Sequence, residues 1–113
     1  MDGRCLFCDM VSGAVRAKFE YEDESVFVIR DIAPQAPVHL LVIPKEHVEP
    51  ASSVQNPGVW SKVLDCAVRT AASLGLDREG YRLVINCGAG AGQTIPHLHI
   101  HLLAGRSFRW PPG

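Results

Sequence analysis

Three of the chain's five histidines fall in one seven-residue run, His97-Leu98-His99-Ile100-His101-Leu102-Leu103. In a β-strand successive side chains point to opposite faces. The three imidazoles would then share one face, and Leu98, Ile100 and Leu102 the other. The apolar face is expected to pack on a core and fix the strand, and the imidazole face to open towards solvent or a ligand. A helix would bring His97 and His101 together and turn His99 to nearly the opposite side. Pro96 also fits a strand start better than a helix interior. Imidazole offers metal ligation, acid–base work and nucleophilic attack near neutral pH. A single histidine here would read as part of a polar-faced strand; three on one face point to chemistry.

The loop that leads into this run is Cys87-Gly88-Ala89-Gly90-Ala91-Gly92-Gln93-Thr94. Glycines let backbone N–H groups approach a ligand, and consecutive N–H groups in a turn form an anion-binding concavity. The loop could set backbone donors, the Thr94 hydroxyl and the imidazoles around one phosphate. Taken alone, Gly-Ala-Gly-Ala-Gly fits a flexible hairpin equally well, and it lacks the Gly-Lys-Ser/Thr of a P-loop. His39 is the one polar residue of the apolar run Val38–Ile43. It reads either as a satisfied core residue or as a neighbour of the histidine site. Cys5-x-x-Cys8 could be a redox pair, a metal-binding pair or chance, and the βαβ context of a thioredoxin-like motif is missing. Pro44-Lys45-Glu46-His47 supplies a third ligand of suitable type. Cys66 and Cys87 are expected to pack.

The elements that must position these residues follow from pattern. Cys5–Val11 reads as a loop and one or two helical turns, stopped by Ser12-Gly13. Strands are predicted over Phe19–Glu22, Ser25–Arg30, Val38–Ile43 and Tyr81–Asn86. Asp31–Pro37 is a loop, because its two prolines exclude a helix interior. Val59–Leu74 is a long helix, with apolar residues at helical spacing and Gly75 as its stop. Strands, one long helix and strands again, joined by short connections, give an α+β domain: an antiparallel sheet with helix cover.

At 113 residues the chain makes a single domain over 1–113, with a Cys-x-x-Cys segment over 1–13 and an extended tail over 105–113. A domain this small would gain from burying its long helix and a strand against a twin. The charge of −1 and the lack of a basic stripe argue against a nucleic-acid partner, although a local site could take a single nucleotide. Met1–Cys5 holds no apolar signal region, and no run is long enough for a membrane. The expected location is the cytoplasm, where the four cysteines would stay reduced and serve packing or metal rather than disulfides.

The run His97–Leu103 matches the His-x-His-x-His-x-x signature of the histidine-triad (HIT) family, with x apolar. Asp31-Ile32, Pro34-Gln35-Ala36-Pro37, His39 and Val42-Ile43-Pro44-Lys45 resemble that family's N-terminal block. Tyr81–Asn86, Gly92-Gln93-Thr94 and Trp110-Pro111-Pro112-Gly113 resemble its Hint branch. The resemblance implies a HIT fold: an antiparallel sheet of about five strands with one long and one short helix, in a homodimer. It implies a hydrolase that cleaves the P–N bond of purine nucleoside 5′-phosphoramidates and releases an AMP- or GMP-like product. By the same resemblance His99 is the nucleophile and His101 contacts the phosphate. His39 supports the triad, which begins at His97. Asp31 holds the ribose with Ile32 against the base, and Asn86, Gly92, Gln93 and Thr94 bind phosphate and sugar. Some bacterial members carry a structural zinc on residues matching Cys5, Cys8, His47 and His97, and catalysis itself needs no metal.

Other readings stay open at this stage. Three histidines with an open position also suit a zinc held by the triad itself. Related branches of the family hydrolyse dinucleoside polyphosphates or transfer nucleotides. A purine-nucleotide-binding protein with little catalysis is a further alternative.

Overall fold

The computed structural model describes residues 5–113. Met1–Arg4, on which part of the N-terminal reading falls, lie outside the described residues. Two helices and five strands follow one another as α1 (Leu6–Ser12), β1 (Tyr21–Glu22), β2 (Val26–Arg30), β3 (Val38–Pro44), α2 (Pro57–Ser73), β4 (Tyr81–Val84) and β5 (Ile100–Ala104). Single 3₁₀ turns stand at Ala51–Ser53 and Ala89–Ala91. The strands form one antiparallel sheet in the order β1-β2-β3-β5-β4. This is the expected α+β architecture of five strands, one long helix and one short one. No helix among the described residues is long and apolar enough to cross a membrane.

Local chemistry sets the helix ends. Asn56 Oδ1 accepts the Gly58 N–H at 2.9 Å, and Pro57 opens α2 where no intrahelical N–H is needed. α1 ends at Gly13, whose φ of +86° lets its N–H turn back to the Met10 carbonyl.

Both faces of the sheet are covered, which explains why β2 and β3 read as nearly continuous apolar runs rather than as alternating ones. Val26, Val28, Leu40, Val42, Leu98, Ile100 and Leu102 face Val59, Val63, Cys66, Ala67 and Ala71 of α2. The small Ala67 and Ala71 leave room for the sheet beneath the helix. On the other face Phe27, Ile29, Leu41 and Ile43 meet Cys5 and Phe7 of the N-terminal segment. Cys66 is buried beneath α2 as a packing residue.

The histidine strand starts later than its alternation predicts. Pairing with β3 begins at Ile100, opposite Val42, and His97–His99 lie outside the ladder. Pro44 explains the early end. It has no N–H to donate, and its carbonyl is taken by the His97 ring at 2.7 Å. The Leu98 N–H bonds the Val48 carbonyl instead, at 2.6 Å.

β5 leaves the sheet at Gly105, where φ is +93° and a Cβ would sit 2.8 Å from Pro37 Cβ. Gly105→Ala is expected to cost about 2–3 kcal/mol, from a disfavoured backbone and a forced contact together. Gly75 has φ of +72° with nothing within 4 Å of its Cβ position, so Gly75→Ala is expected to cost only about 1 kcal/mol. Urea melts of the two variants check this, and equal losses would show that Pro37 moves aside freely.

Candidate functional site

The site is built where β3 and β5 lie side by side. His39 pairs across from Leu103 and His101 from Leu41, which puts the two histidines diagonally on one face, away from α2. His97 and His99 continue that face beyond the end of the ladder. The apolar partners Leu98, Ile100 and Leu102 are buried on the α2 side as the alternation requires.

The imidazole face is not uniformly open. His97 is fully buried and His99 is 7% exposed, whereas His101 is half-buried. The cause is Phe7 of α1, whose ring stands edge-on to His97 at 5.6 Å and to His99 at 5.4 Å between centroids. The expectation of an open face along the whole run is therefore corrected: its first end is sealed by an aromatic residue lying between the two N-terminal cysteines.

Hydrogen bonding fixes which ring nitrogen carries each proton, because a carbonyl only accepts and a backbone N–H only donates. His97 donates from Nε2 to the Pro44 carbonyl at 2.7 Å, which leaves a lone pair on Nδ1. His99 donates from Nδ1 to the His97 carbonyl at 2.8 Å, which leaves a lone pair on Nε2. His39 Nδ1 accepts the Gln35 N–H at 3.0 Å, so its proton sits on Nε2. That proton faces His101 Nδ1 at 2.9 Å and Asp31 Oδ2 at 3.3 Å. When His101 accepts at Nδ1, its own proton is on Nε2. No described residue bonds Nε2 of His99 or of His101. Since no buried side-chain nitrogen or oxygen lacks a partner, both atoms reach solvent. A lone pair and an N–H donor thus open beside each other on rings 5.0 Å apart.

The three triad rings do not converge on one point. His97 turns its lone pair away from His99 and His101 to Cys5 Sγ at 3.3 Å, Cys8 Sγ at 3.6 Å and His47 Nδ1 at 3.1 Å. Cys8 Sγ lies 3.2 Å from His47 Nδ1. These four ligand atoms all lie within 4.8 Å of one another. Tetrahedral zinc with ordinary Zn–S and Zn–N bonds needs ligand separations of about 3.3–3.8 Å, so the residues fit a closed Cys₂His₂ site. Burial, with Cys5 alongside, pushes the Cys8 thiol up to about 11; a bound cation would reverse that. Asp31, His39 and His101 form a second cluster of ligand-type atoms. There the proton on His39 Nε2 occupies the position that a metal would need. A zinc held by the triad itself is not what this geometry offers.

The remaining candidates are distributed around the open end. Asp31 stands beside His39, with its Oδ1 accepting the Ala33 N–H at 2.8 Å. Ile32 is completely exposed next to it. Asn86 is half-buried, and Gly92 and Thr94 are exposed. Gln93 turns its side-chain amide to the backbone of its own loop and of the chain before α2. Its Oε1 accepts the Gly88 N–H at 2.8 Å, and its Nε2 donates to the carbonyls of Glu49 and Ile95. It ties the glycine loop shut and to the chain before α2, which turns a would-be flexible hairpin into a fixed 3₁₀ turn. Phe7 is the neighbour that sequence pattern missed, and the contact between Asp31 and His39, both expected at the site, is new. Cys87, expected to pack, is exposed 3.6 Å from the Ser52 hydroxyl.

Residues 12–108 match the HIT domain model. The chain belongs to the HIT family. It is 44% identical over 110 residues to an uncharacterized HIT-like protein of Synechococcus elongatus, covering 96% of each chain. It is 43% identical to a HIT family hydrolase of Legionella pneumophila, with a TM-score of 0.93 over 97% of this chain and 100% of the other. A Zn-bound histidine triad family protein of Mycobacterium smegmatis is 35% identical, with a TM-score of 0.79 over 96% of this chain and 84% of the other. In this HIT domain the triad rings point two ways: His97 belongs to the Cys₂His₂ cluster, while His99 and His101 turn Nε2 to solvent.

Burial first, and then the neighbouring His99 and His39 rings, hold His101 down to about 4. The unfolded chain takes up this proton near pH 6.5 and the folded chain only near pH 4. Stability is therefore expected to fall as pH drops through that window, by on the order of 2 kcal/mol after allowing for solvent screening of the half-buried ring. Buried His97, also lowered, adds in the same direction. Urea midpoints at pH 7.5 and 4.5 check this, and His101→Asn is expected to flatten the difference.

Proposed function

We propose that this HIT domain is a nucleotide hydrolase that cleaves the P–N bond of purine nucleoside 5′-phosphoramidates through a nucleotidyl intermediate on His99. The observation that carries the reading is the solvent-reached lone pair on His99 Nε2 beside the Nε2–H of His101. A neutral imidazole whose other nitrogen is already held by a carbonyl is a pre-oriented nucleophile. Its neighbour can donate to a phosphate oxygen without the repulsion that a second nucleophile would bring.

The lone pair of His99 attacks the α-phosphorus, a P–N bond to imidazole forms, and the P–N bond to the amine breaks. The leaving nitrogen departs as an amine after taking a proton from solvent at the open end of the site, and the water that attacks next returns one proton to solvent. Water then attacks the nucleotidyl-imidazole, releases the nucleoside monophosphate and restores His99. The Thr94 hydroxyl, with those glycine-loop N–H groups that the turn itself does not use, would meet charge on the transferring group. Ile32 offers an apolar seat for the base, with the Asp31 carboxylate near the ribose, and Asn86 and Gly92 would border phosphate and sugar.

We also infer that Cys5, Cys8, His47 and His97 hold a structural zinc. A zinc there supplies cross-linking rather than catalysis, tying α1 and the 44–48 loop to His97, whose carbonyl orients His99. The chain is further proposed to pair with a second copy through Leu64 and Val68, which are exposed on α2, and the free edge of β4. A light-scattering mass of two chains is expected, and a mass of one would contradict the pairing.

Hydrolysis of adenosine 5′-phosphoramidate is the test of function. His99→Ala is expected to lower kcat by at least about 10³-fold, with AMP still bound. Zinc analysis should find one ion per chain in wild type and none in Cys8→Ser. Preferred turnover of a dinucleoside polyphosphate, or AMP binding with no turnover by wild type, would overturn the phosphoramidase reading.

A further inference from the structure

The root of the C-terminal tail touches the site through a peptide rather than a side chain. Arg106 Nε donates to the Gln35 carbonyl at 3.0 Å, across 71 residues of sequence. The N–H of the same Gln35 bonds His39 Nδ1 at 3.0 Å. The two peptide planes flanking the Gln35 Cα are therefore held from opposite sides, one by the arginine and one by the histidine. The loop around Gln35 lies between Pro34 and Pro37, which have no N–H groups of their own with which to brace it. Gly105 packs against Pro37 with no room for a Cβ, so β5 delivers Arg106 to this loop at a fixed height.

Arg106 is not a loose surface arginine. Its guanidinium lies over the Phe108 ring at 4.3 Å and donates from Nη1 to the Ser107 carbonyl at 3.0 Å. Arg82 lies over the same ring at 5.2 Å and donates to the Arg109 carbonyl at 2.9 Å. Neither arginine has a carboxylate partner among the described residues. Both contribute to seating the tail, but only Arg106 reaches Gln35.

We propose that Arg106 is a positioning residue that fixes the tautomer of His39 and, through it, the nitrogen from which His101 offers its proton. With the Gln35 N–H held on Nδ1, His39 must carry its proton on Nε2 and give it to His101 Nδ1. His101 then presents Nε2–H to the open end of the site. Freeing the Gln35 peptide leaves only the Asp31 carboxylate, 3.3 Å from Nε2, to hold that proton, and lets His39 carry it on Nδ1 part of the time. In that arrangement His39 Nε2 accepts from His101, and His101 meets a phosphate oxygen with a lone pair instead of a donor. Arg106 acts through two residues and touches no substrate. The kinetic consequence rests on the proposed reaction, whereas the tautomer consequence does not.

Long-range ¹H–¹⁵N spectra of the full chain read the histidine protons directly. Arg106→Met keeps an unbranched apolar side chain and removes the donors. It is expected to turn the single Nε2–H pattern of His39 and His101 into a mixture, and to lower kcat for adenosine 5′-phosphoramidate by about 10-fold with KM changed less than about 2-fold. Arg82→Ala loosens the tail without touching Gln35 and is expected to leave both patterns as in wild type. Should Arg106→Met fail to fold, Arg106→Leu also removes the donors and reads the same signals. Unchanged nitrogen patterns in the folded Arg106 variant, or equal changes in Arg82→Ala, would overturn the proposal. A shifted pattern in a protein whose wild type hydrolyses no phosphoramidate would sustain the positioning role and sink the reaction.

Discussion

Pro44 ends β3 with a carbonyl that the sheet does not use, and the His97 ring takes it at 2.7 Å. Much of the site follows from that contact. It puts the His97 proton on Nε2, so Nδ1 is left for the cysteines and His47. It draws the chain out of the ladder, so that the His97 carbonyl meets His99 Nδ1 at 2.8 Å. A fully buried imidazole cannot leave either nitrogen unsatisfied without a cost of about 1–3 kcal/mol, and His97 satisfies both. One residue thus joins a packing and ligand cluster on its ring side to His99, the proposed nucleophile, on its backbone side.

The sheet's two covers produce a graded environment for the histidines. α1 is short, and its Phe7 reaches only as far as His97 and His99. Half-buried His101 lies past it, where Asp31 and solvent begin, while His39 stays buried beside them. The reactive atoms of His99 and His101 therefore sit at the border between a dry core and an open cleft. Such a border suits charge-bearing intermediates, because donors fixed in partly dry surroundings interact more strongly than they would in water. Burial also keeps His101 neutral, so at neutral pH it serves as a hydrogen-bond donor rather than as a cation.

Much of this architecture can be read from the residue pattern, and what cannot be read has a common cause. The alternation in His97–Leu103 correctly separates the buried leucines and isoleucine from the imidazoles, and the prolines and glycines bound most elements to within a few residues. Period alone cannot tell where a strand stops pairing. That depended on Pro44, 53 residues away from His97 in the chain, and on the Val48 carbonyl. Nor can it say which face a small helix will close; Phe7 between two cysteines could as easily have been exposed. Gln93 shows the same limit from the other side. Nothing in the composition of its glycine loop says that three backbone partners will hold its amide. Proton placement on each imidazole is likewise a tertiary property, set by whichever donor or acceptor the fold brings to each ring nitrogen.

The central claim is that His99 alone attacks, through Nε2. The most direct measurement is to mix the protein with adenosine 5′-phosphoramidate, quench it within the first turnover, and locate any adenylyl group on the intact chain. Mass spectrometry of peptides and ³¹P spectra identify the residue and the nitrogen. The account predicts one adenylyl group on His99 Nε2, formed and lost at rates that match turnover. An adduct on His97 or His101, or continued turnover with no covalent adenylyl group at any time, would contradict it.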